Sequence, residues 1–467
     1  MNNLLHINTK NIIFAILLFI IVVLFSILFY LEIRMLDRII IPFLVTFLIS
    51  LVLYYVFNKI FKDKFVSKIF LISILLHFIF ILFWQLLKYY GLGLQMPTEN
   101  LFEAYICDRD GVLYHELGNE VRDYLSGNHL GIFKKKMYGR LFPKIIGTIY
   151  YITGTHNPFL VCCFNSLVAG SIAPIIYSIG KSVLRNIQMA KIYSFLFVIA
   201  FSHIMYTSTM MRDVYITLFI YLSIFLAYKF YKTRNIIFLI TTLLNLFFLN
   251  NFRPYACYIV FIAIITSYII NNIKIVKQNS KLKVNKITFA LIILSPALLV
   301  LLYIIILKLT HTFGVISSAE DLINIRESVY TGRSESDYVF DFSELYSIFP
   351  PLAIFLGMVC MFFAPFPWEW FMAKRIMYVP DMLIFYCFLS SFFKNLKLVF
   401  IEKNYILITF LIIIIIQFSV YCITVGNSGT VHRLRGPFIP MIYLIAMYRP
   451  DKFLNKILNK IKSWRIV

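Results

Sequence analysis

Charge is scarce in this chain. Only 14% of its 467 residues are Asp, Glu, Lys or Arg, against 61% apolar and 18% aromatic. A soluble domain carries about 25% charged and about 45–50% apolar residues, so a water-soluble globule of this length is excluded. Acidic residues are scarcer still, with 22 Asp and Glu against 44 Lys and Arg, a net charge of +22. In a soluble protein that excess would suggest nucleic acid. Here the basic residues fall mostly in short loops between apolar runs, the distribution that orients membrane helices, which argues against a nucleic-acid partner.

Several chemical signatures are missing as well. The seven cysteines (Cys107, Cys162, Cys163, Cys257, Cys360, Cys387 and Cys422) show neither CxxC nor metal-ligand spacing and read as packing residues. The histidines and carboxylates form no HExxH or similar pattern, so a divalent cation is not indicated. No P-loop or GxGxxG opens a helix, so ATP-driven chemistry is not expected and no cofactor is evident. No alternating ten-residue pattern appears, which excludes a transmembrane barrel. There is no low-complexity linker and no clear internal repeat.

What is present is a series of apolar runs long enough to cross a bilayer. They lie near 11–30, 38–57, 66–90, 158–180, 191–210, 213–230, 236–251, 254–272, 287–309, 380–393, 405–425 and 436–448. The first is about twice the length of a signal-peptide core and has no small-residue cleavage site after it, so it is expected to remain as a span. Backbone in hydrocarbon must satisfy its own hydrogen bonds, so these runs predict an all-α polytopic membrane protein with about twelve transmembrane helices.

Orientation follows from the basic loops. Lys59, Lys62, Lys64 and Lys68; Lys181, Arg185 and Lys191; Lys229, Lys232 and Arg234; and Lys274, Lys277, Lys281, Lys283 and Lys286 all fall on one side by parity. That side is read as cytoplasmic, in the inner membrane of a bacterium, with both termini inside. The stretch 350–375 disturbs the count. If it crossed once, Lys394, Lys397, Lys403, Arg449, Lys452, Lys456, Lys460, Lys462 and Arg465 would face outward. A re-entrant segment, broken by Pro350, Pro351, Pro365 and Pro367, keeps them inside.

The predicted organisation is a three-span bundle at 1–90, an outer loop at 91–157, a six-span bundle at 158–309, an acidic outer loop at 310–349, and a re-entrant segment with three spans and a basic tail at 350–467. The first outer loop predicts two interfacial helices, at 111–125 and 141–152.

Under this topology the charged residues at span ends share one compartment. Charge at membrane depth is costly, so a convergent set of carboxylates and guanidiniums predicts a polar cavity facing away from the cytoplasm. In Cys107-Asp108-Arg109-Asp110, ahead of Tyr114 and His115, an Asp can cap the helix and a neighbouring Asp can act as general base on an acceptor hydroxyl. Arg212 and Asp213 read either as a snorkelling anchor and a helix-start acid or as a phosphate fork with its holder. Arg253, before Pro254 and Tyr255, repeats that placement. The turn from Gly426 to Pro437 carries His432, Arg433 and Arg435; as a plain outer loop it would run against the positive-inside trend, and two Arg at i and i+2 can grip separate phosphate oxygens. Arg326 and Arg333 lie in the second outer loop. His77, mid-span, reads as an interhelical hydrogen-bonding residue rather than a catalytic one. Pro365-Phe366-Pro367-Trp368-Glu369-Trp370 reads as an aromatic belt or as a substrate contact.

Together, Asp110-x-x-x-Tyr114-His115, Met211-Arg212-Asp213, Arg253-Pro254-Tyr255, Pro365-Phe366-Pro367-Trp368 and the Gly-x-x-Gly-Thr-x-x-Arg-x-Arg segment resemble GT-C-type integral membrane glycosyltransferases. The nearest likeness is to bacterial relatives of the protein mannosyltransferases and of the lipid A aminoarabinose transferase, over about residues 95–445. The resemblance implies a sugar donor on a polyprenyl phosphate, a glycan, lipid or protein acceptor, and a catalytic Asp in the first outer loop: Asp110, with Asp108 as the fallback. It makes Arg212, Arg253, Arg433 and Arg435 candidates for the lipid phosphate. Thr331-Gly332-Arg333-Ser334 departs from the Thr-Gly-Gly-Ser often found in the second outer loop.

Two other functions remain open. A repeat-unit polymerase for O-antigen or capsule would hold a polyprenyl diphosphate with the same outer arginines. A lipid-linked sugar transporter or flippase would place charge near the midplane and pair its interrupted helices between halves, whereas the only interruption the sequence shows is at 350–367.

Overall fold

The structure is a computed structural model, and it describes residues 40–61, 63–89, 109–127, 141–184, 186–278, 349–370, 378–424 and 428–463. The predicted spans at 11–30 and 287–309, the acidic loop with Arg326 and Arg333, and Asp108 lie outside the described residues. Every regular element among those described is helical. By internal contacts the chain divides into two compact units, Met1–Leu218 with Asn455–Val467, and Phe219–Leu454.

In the first unit, α1 (Ile41–Phe61) and α2 (Lys64–Tyr89) form a hairpin, followed by α3 (Arg109–Leu125), α4 (Leu141–Thr153), α5 (Pro158–Val183), α6 (Ile187–Val198), α7 (Phe201–Ser208) and the start of α8 (Asp213–Thr233). Asparagines set two of the starts: Asn157 accepts from the Phe159 amide at 3.0 Å and Asn186 from the Gln188 amide at 2.8 Å, closing donors that a helix start leaves open. α2 packs along α5, where Gly170 gives Ile74 and Phe70 room; a Cβ there would sit 2.6 Å from the Ile74 side chain. α3 and α4, the two helices predicted for the outer loop, pack together through Gly118 and Gly147.

The second unit holds the rest of α8, then α9 (Ile236–Phe252), α10 (Pro254–Gln278), α11 (Pro350–Phe363), a 3-10 turn at Pro367–Glu369, α12 (Val379–Glu402), α13 (Tyr405–Thr424), α14 (Ser428–Arg435), α15 (Ile439–Tyr448) and the first residues of α16 (Lys452–Ser463). α9 exposes Ile236, Ile237, Ile240, Leu243, Leu244 and Phe247 along one side, as α1 exposes Leu44, Leu48, Val52 and Tyr55. In a chain of this composition such stripes are the lipid-facing surface.

Six described helices are long and apolar enough to cross a membrane, within α1, α2, α5, α8, α10 and α12. The chain is thus an α-helical, multi-pass membrane protein. Three predicted spans take a different form. The run 191–210 is two helices, α6 and α7, bent by 53° at Ile199 and Ala200; no Pro or Gly marks that break, so nothing local in the sequence signals it. The run 436–448 is reduced to α15, whose ten residues cover roughly 15 Å of an apolar layer about 30 Å thick. The run 380–393 extends to residue 402, and on its inner side Ser391 and Asn395 donate to the carbonyls of Ala446 and Ile445 at the end of α15, at 3.1 and 2.7 Å. α11 starts on Pro350 and Pro351 and stops before Pro365; its fourteen residues, roughly 21 Å, fall short of a crossing.

The α3–α4 contact is testable. A methyl at Gly147 would stand 2.7 Å from the Gly118 carbonyl oxygen, which is backbone and cannot rotate away. Gly147→Ala should therefore destabilise the pair by about 1–3 kcal/mol, read as a lower melting temperature in detergent and faster amide exchange in 109–125.

Candidate functional site

In the first unit the predicted residues gather at two helix starts. Asp110 lies half-buried in the first turn of α3, beside backbone amides that a helix start leaves open. One turn on, the buried Tyr114 ring meets Phe142 of α4 edge-on at 5.0 Å, and Phe142 meets Tyr215 of α8 at 5.6 Å. Arg212 and Asp213 sit just ahead of Tyr215. The three rings thus join the helix that carries Asp110 to the helix headed by Arg212 and Asp213. Asp213 is buried and Arg212 half-buried. The link entering α8 is held by a residue that sequence reasoning passed over: Asn165, fully buried in α5, donates from Nδ2 to the carbonyls of Thr209 at 2.7 Å and Met211 at 3.3 Å. An amide in the middle of an apolar run was the available signal.

A second row on α3 is polar. His115 Nδ1 lies 2.9 Å from the Tyr150 hydroxyl and its Nε2 lies 3.2 Å from Asn119 Nδ2. Asn119 Oδ1 lies 2.6 Å from His156 Nδ1, which is 3.0 Å from Arg122 Nη1. Arg122 is in turn paired with Asp123. Burial holds the His115 imidazole below its ordinary value, the neighbouring His156 adds to this and Glu116 opposes it. Burial and then Arg122 do the same to His156, against Asp123. The His115 contact needs a neutral ring, because Nε2 must be unprotonated to accept from the Asn119 amide, whereas His156 Nδ1 faces both an acceptor, Asn119 Oδ1, and a donor, Arg122.

In the second unit the residues at 432–435 are packed into a rigid frame. The His432 ring stacks on Tyr378 at 3.9 Å with the planes 4° apart. Arg435, fully buried, donates from Nη1 to the carbonyls of Met361 at 3.1 Å and Phe362 at 3.0 Å. Its Nη2 lies 2.9 Å from His432 Nδ1, and its guanidinium lies over the Phe385 ring. The predicted phosphate ligand at this position is therefore held by the C-terminal turn of α11, whose carbonyls have no partner further along the helix. Arg433, between the two, is half-buried. Arg253 is buried over Tyr255 at 5.7 Å, and Tyr255 leads through Tyr421, at 6.2 Å, to Phe438, at 6.4 Å.

Two buried carboxylates in this unit were given no role of their own by the sequence. Glu369 accepts from the Phe366 amide at 2.9 Å, and Asp381 stands in the first turn of α12. Proximity to Pro365-Phe366-Pro367-Trp368 was the only sequence signal for Glu369; Asp381 resembled an ordinary helix-start acid. Trp368, 68% exposed, lies flat against Phe366 at 4.7 Å.

Asp110, Tyr114, His115, Arg212 and Asp213 thus belong to the first unit, and Arg253, His432, Arg433 and Arg435 to the second. No cluster of three or more metal-ligating side chains occurs among the described residues. His77 is interhelical, with Nδ1 2.6 Å from the Ser73 carbonyl and Nε2 2.9 Å from the Thr207 hydroxyl of α7. The described cysteine thiols at 162, 163, 257 and 360 are buried and unbridged. Comparison with protein-family models, with curated proteins and with solved structures returns no match.

The clamp at Arg435 is testable. Arg435→Ala leaves the Met361 and Phe362 carbonyls without their buried donor and should cost about 2–4 kcal/mol, seen as a lower melting temperature in detergent.

Acidity should loosen α3. The folded-state values of His115 and His156 lie below the ordinary 6.5, so the unfolded chain takes up protons first as pH falls. Stability is full above pH 6.5 and declines below it. Amide exchange across 109–125, corrected for intrinsic rates, should rise between pH 7 and 5.5, and less in a His115→Gln, His156→Gln double variant.

Proposed function

We propose that the protein is a membrane glycosyltransferase of the GT-C type, moving a sugar from a polyprenyl-phosphate donor to an acceptor hydroxyl on the extracytoplasmic side. The observation that carries this reading is the frame at His432 and Arg435. Charged groups buried among apolar helix ends are expensive, and here they fix the backbone that presents Arg433. Arg433 is assigned to the lipid phosphate, with Arg253 as the second candidate, and Arg435 to positioning. Arg212, with Asp213 beside it, is the corresponding candidate of the first unit.

The chemistry asks little else of the protein. The acceptor oxygen attacks the anomeric carbon as its proton passes to Asp110; the bond from that carbon to the phosphate oxygen breaks, and its electron pair leaves on the phosphate. A guanidinium at the phosphate neutralises the charge that builds there. One displacement with one base inverts the anomeric centre. No nucleotide or metal is required by these steps.

A second reading, transport of a lipid-linked sugar, is favoured by one observation. The break between α6 and α7 means that the interruption after α11 is not the only one, and interrupted apolar helices in both halves are a transporter's arrangement. A repeat-unit polymerase shares the phosphate contacts and differs in using a diphosphate donor.

One assay separates the three. Purified protein in detergent is given synthetic polyprenyl-phosphate and polyprenyl-diphosphate sugars with a hydroxyl acceptor. Transfer from the monophosphate is expected, since detergent leaves no compartments for transport to act on. Asp110→Asn should lower turnover by about 10²–10⁴ with donor binding retained, and Arg433→Ala should raise the donor KM about 10–100-fold. Full turnover by both variants would remove the assignment, and transfer only from the diphosphate would favour the polymerase.

A further inference from the structure

The helix that ends the described chain is not used by that reaction. The sequence of α16, Lys-Phe-Leu-Asn-Lys-Ile-Leu-Asn-Lys-Ile-Lys-Ser, holds four lysines and no carboxylate. With about 100° between successive residues, Leu454, Ile457, Leu458 and Ile461 share one side. Leu454 and Leu458 are fully buried. Lys452, Lys456 and Lys460, at steps of four residues, are exposed in a row within an arc of roughly 80° on the other side. At the edge of that row Phe453 is 58% exposed.

The acid just before the helix is engaged at its start. Asp451 caps the helix, accepting from the Leu454 amide at 2.8 Å and the Ser390 hydroxyl at 2.9 Å, and pairs with Lys394 at 3.4 Å. The amide bond above all holds its carboxyl below the ordinary value. α16 also starts four residues after the apolar α15 ends at Tyr448, with the charged Arg449 and Asp451 between them. A bare aromatic ring beside a row of ammonium groups is poorly placed in water and well placed at a bilayer surface, with the ring among acyl chains and the lysines at the phosphates.

We propose that α16 is a binding site for anionic phospholipid headgroups, with Lys452, Lys456 and Lys460 at the phosphates and Phe453 inserted beside them. The helix ties the end of the bundle to an acidic leaflet. Zwitterionic lipid, which carries its own ammonium, gains much less.

Full-length protein in nanodiscs of phosphatidylcholine alone, or with phosphatidylglycerol added, provides the test. Hydrogen exchange on the unaltered protein should show added protection at 452–463 when the anionic lipid is present; equal exchange in the two bilayers overturns the proposal. Native mass spectrometry should show phosphatidylglycerol retained in preference to phosphatidylcholine. Each lysine near a charged surface is worth about fivefold, so K452Q/K456Q/K460Q should lose about a hundredfold of that preference, and the corresponding Arg variant should keep it. A preference unchanged in the Gln variant, or one that survives 0.5 M salt undiminished, also overturns it.

Discussion

Polar backbone exposed in an apolar layer must find a partner, and most of what is particular to this structure follows from where helices stop and what closes their ends. A continuous helix in hydrocarbon satisfies itself; a broken one leaves carbonyls and amides that only a neighbouring side chain can meet. At three interruptions a polar residue does so from another helix. Asn165 of α5 holds the link before α8, Ser391 and Asn395 of α12 hold the end of α15, and Arg435 holds the end of α11. Thr207, near the far end of α7, is held through its hydroxyl by His77. These side chains are scattered along the chain and look unremarkable in isolation. Their common task is to make irregular backbone tolerable at membrane depth.

That requirement also sorts the arginines. Arg435 and Arg433 are two residues apart and identical in type, yet a helix turns by roughly 200° over that interval, so their side chains point in different directions. Arg435 is directed at the carbonyls of α11 and is fully buried; Arg433 is half-buried. Buried charge of this kind is stable only when hydrogen-bonded, and an Arg fork can serve two carbonyls and a histidine together. Holding α11 and supporting a neighbour's contact with phosphate are compatible roles, because a rigid frame reduces the reorganisation needed when negative charge develops.

The first unit treats its polar residues differently. α3 carries one row, Asp110 and Tyr114, toward α4 and α8 through edge-on and tilted rings, and another, His115, Asn119 and Arg122, toward Tyr150 and His156. Two glycines let the helices close enough for both rows to engage. The same short helix therefore presents a carboxylate at its start and a proton-sensitive clasp along its side.

Much of this was legible in the amino-acid order. Long apolar runs fix the helical, membrane-spanning class, because hydrocarbon leaves few alternatives, and asparagine ahead of Pro158 or Ile236 marks a helix start through a local hydrogen bond. The two helices of the first outer loop were readable for the same reason: their periodicity is local. Tertiary structure alone decided the bend at Ile199 and Ala200, the shortness of α15 and the length of α12, since each depends on how helices distant in sequence pack. It also decided that Arg435 is a clamp and that Glu369 and Asp381 are buried. Spacing along a chain gives the side of a helix on which a residue lies; what stands opposite is fixed only when the helices pack.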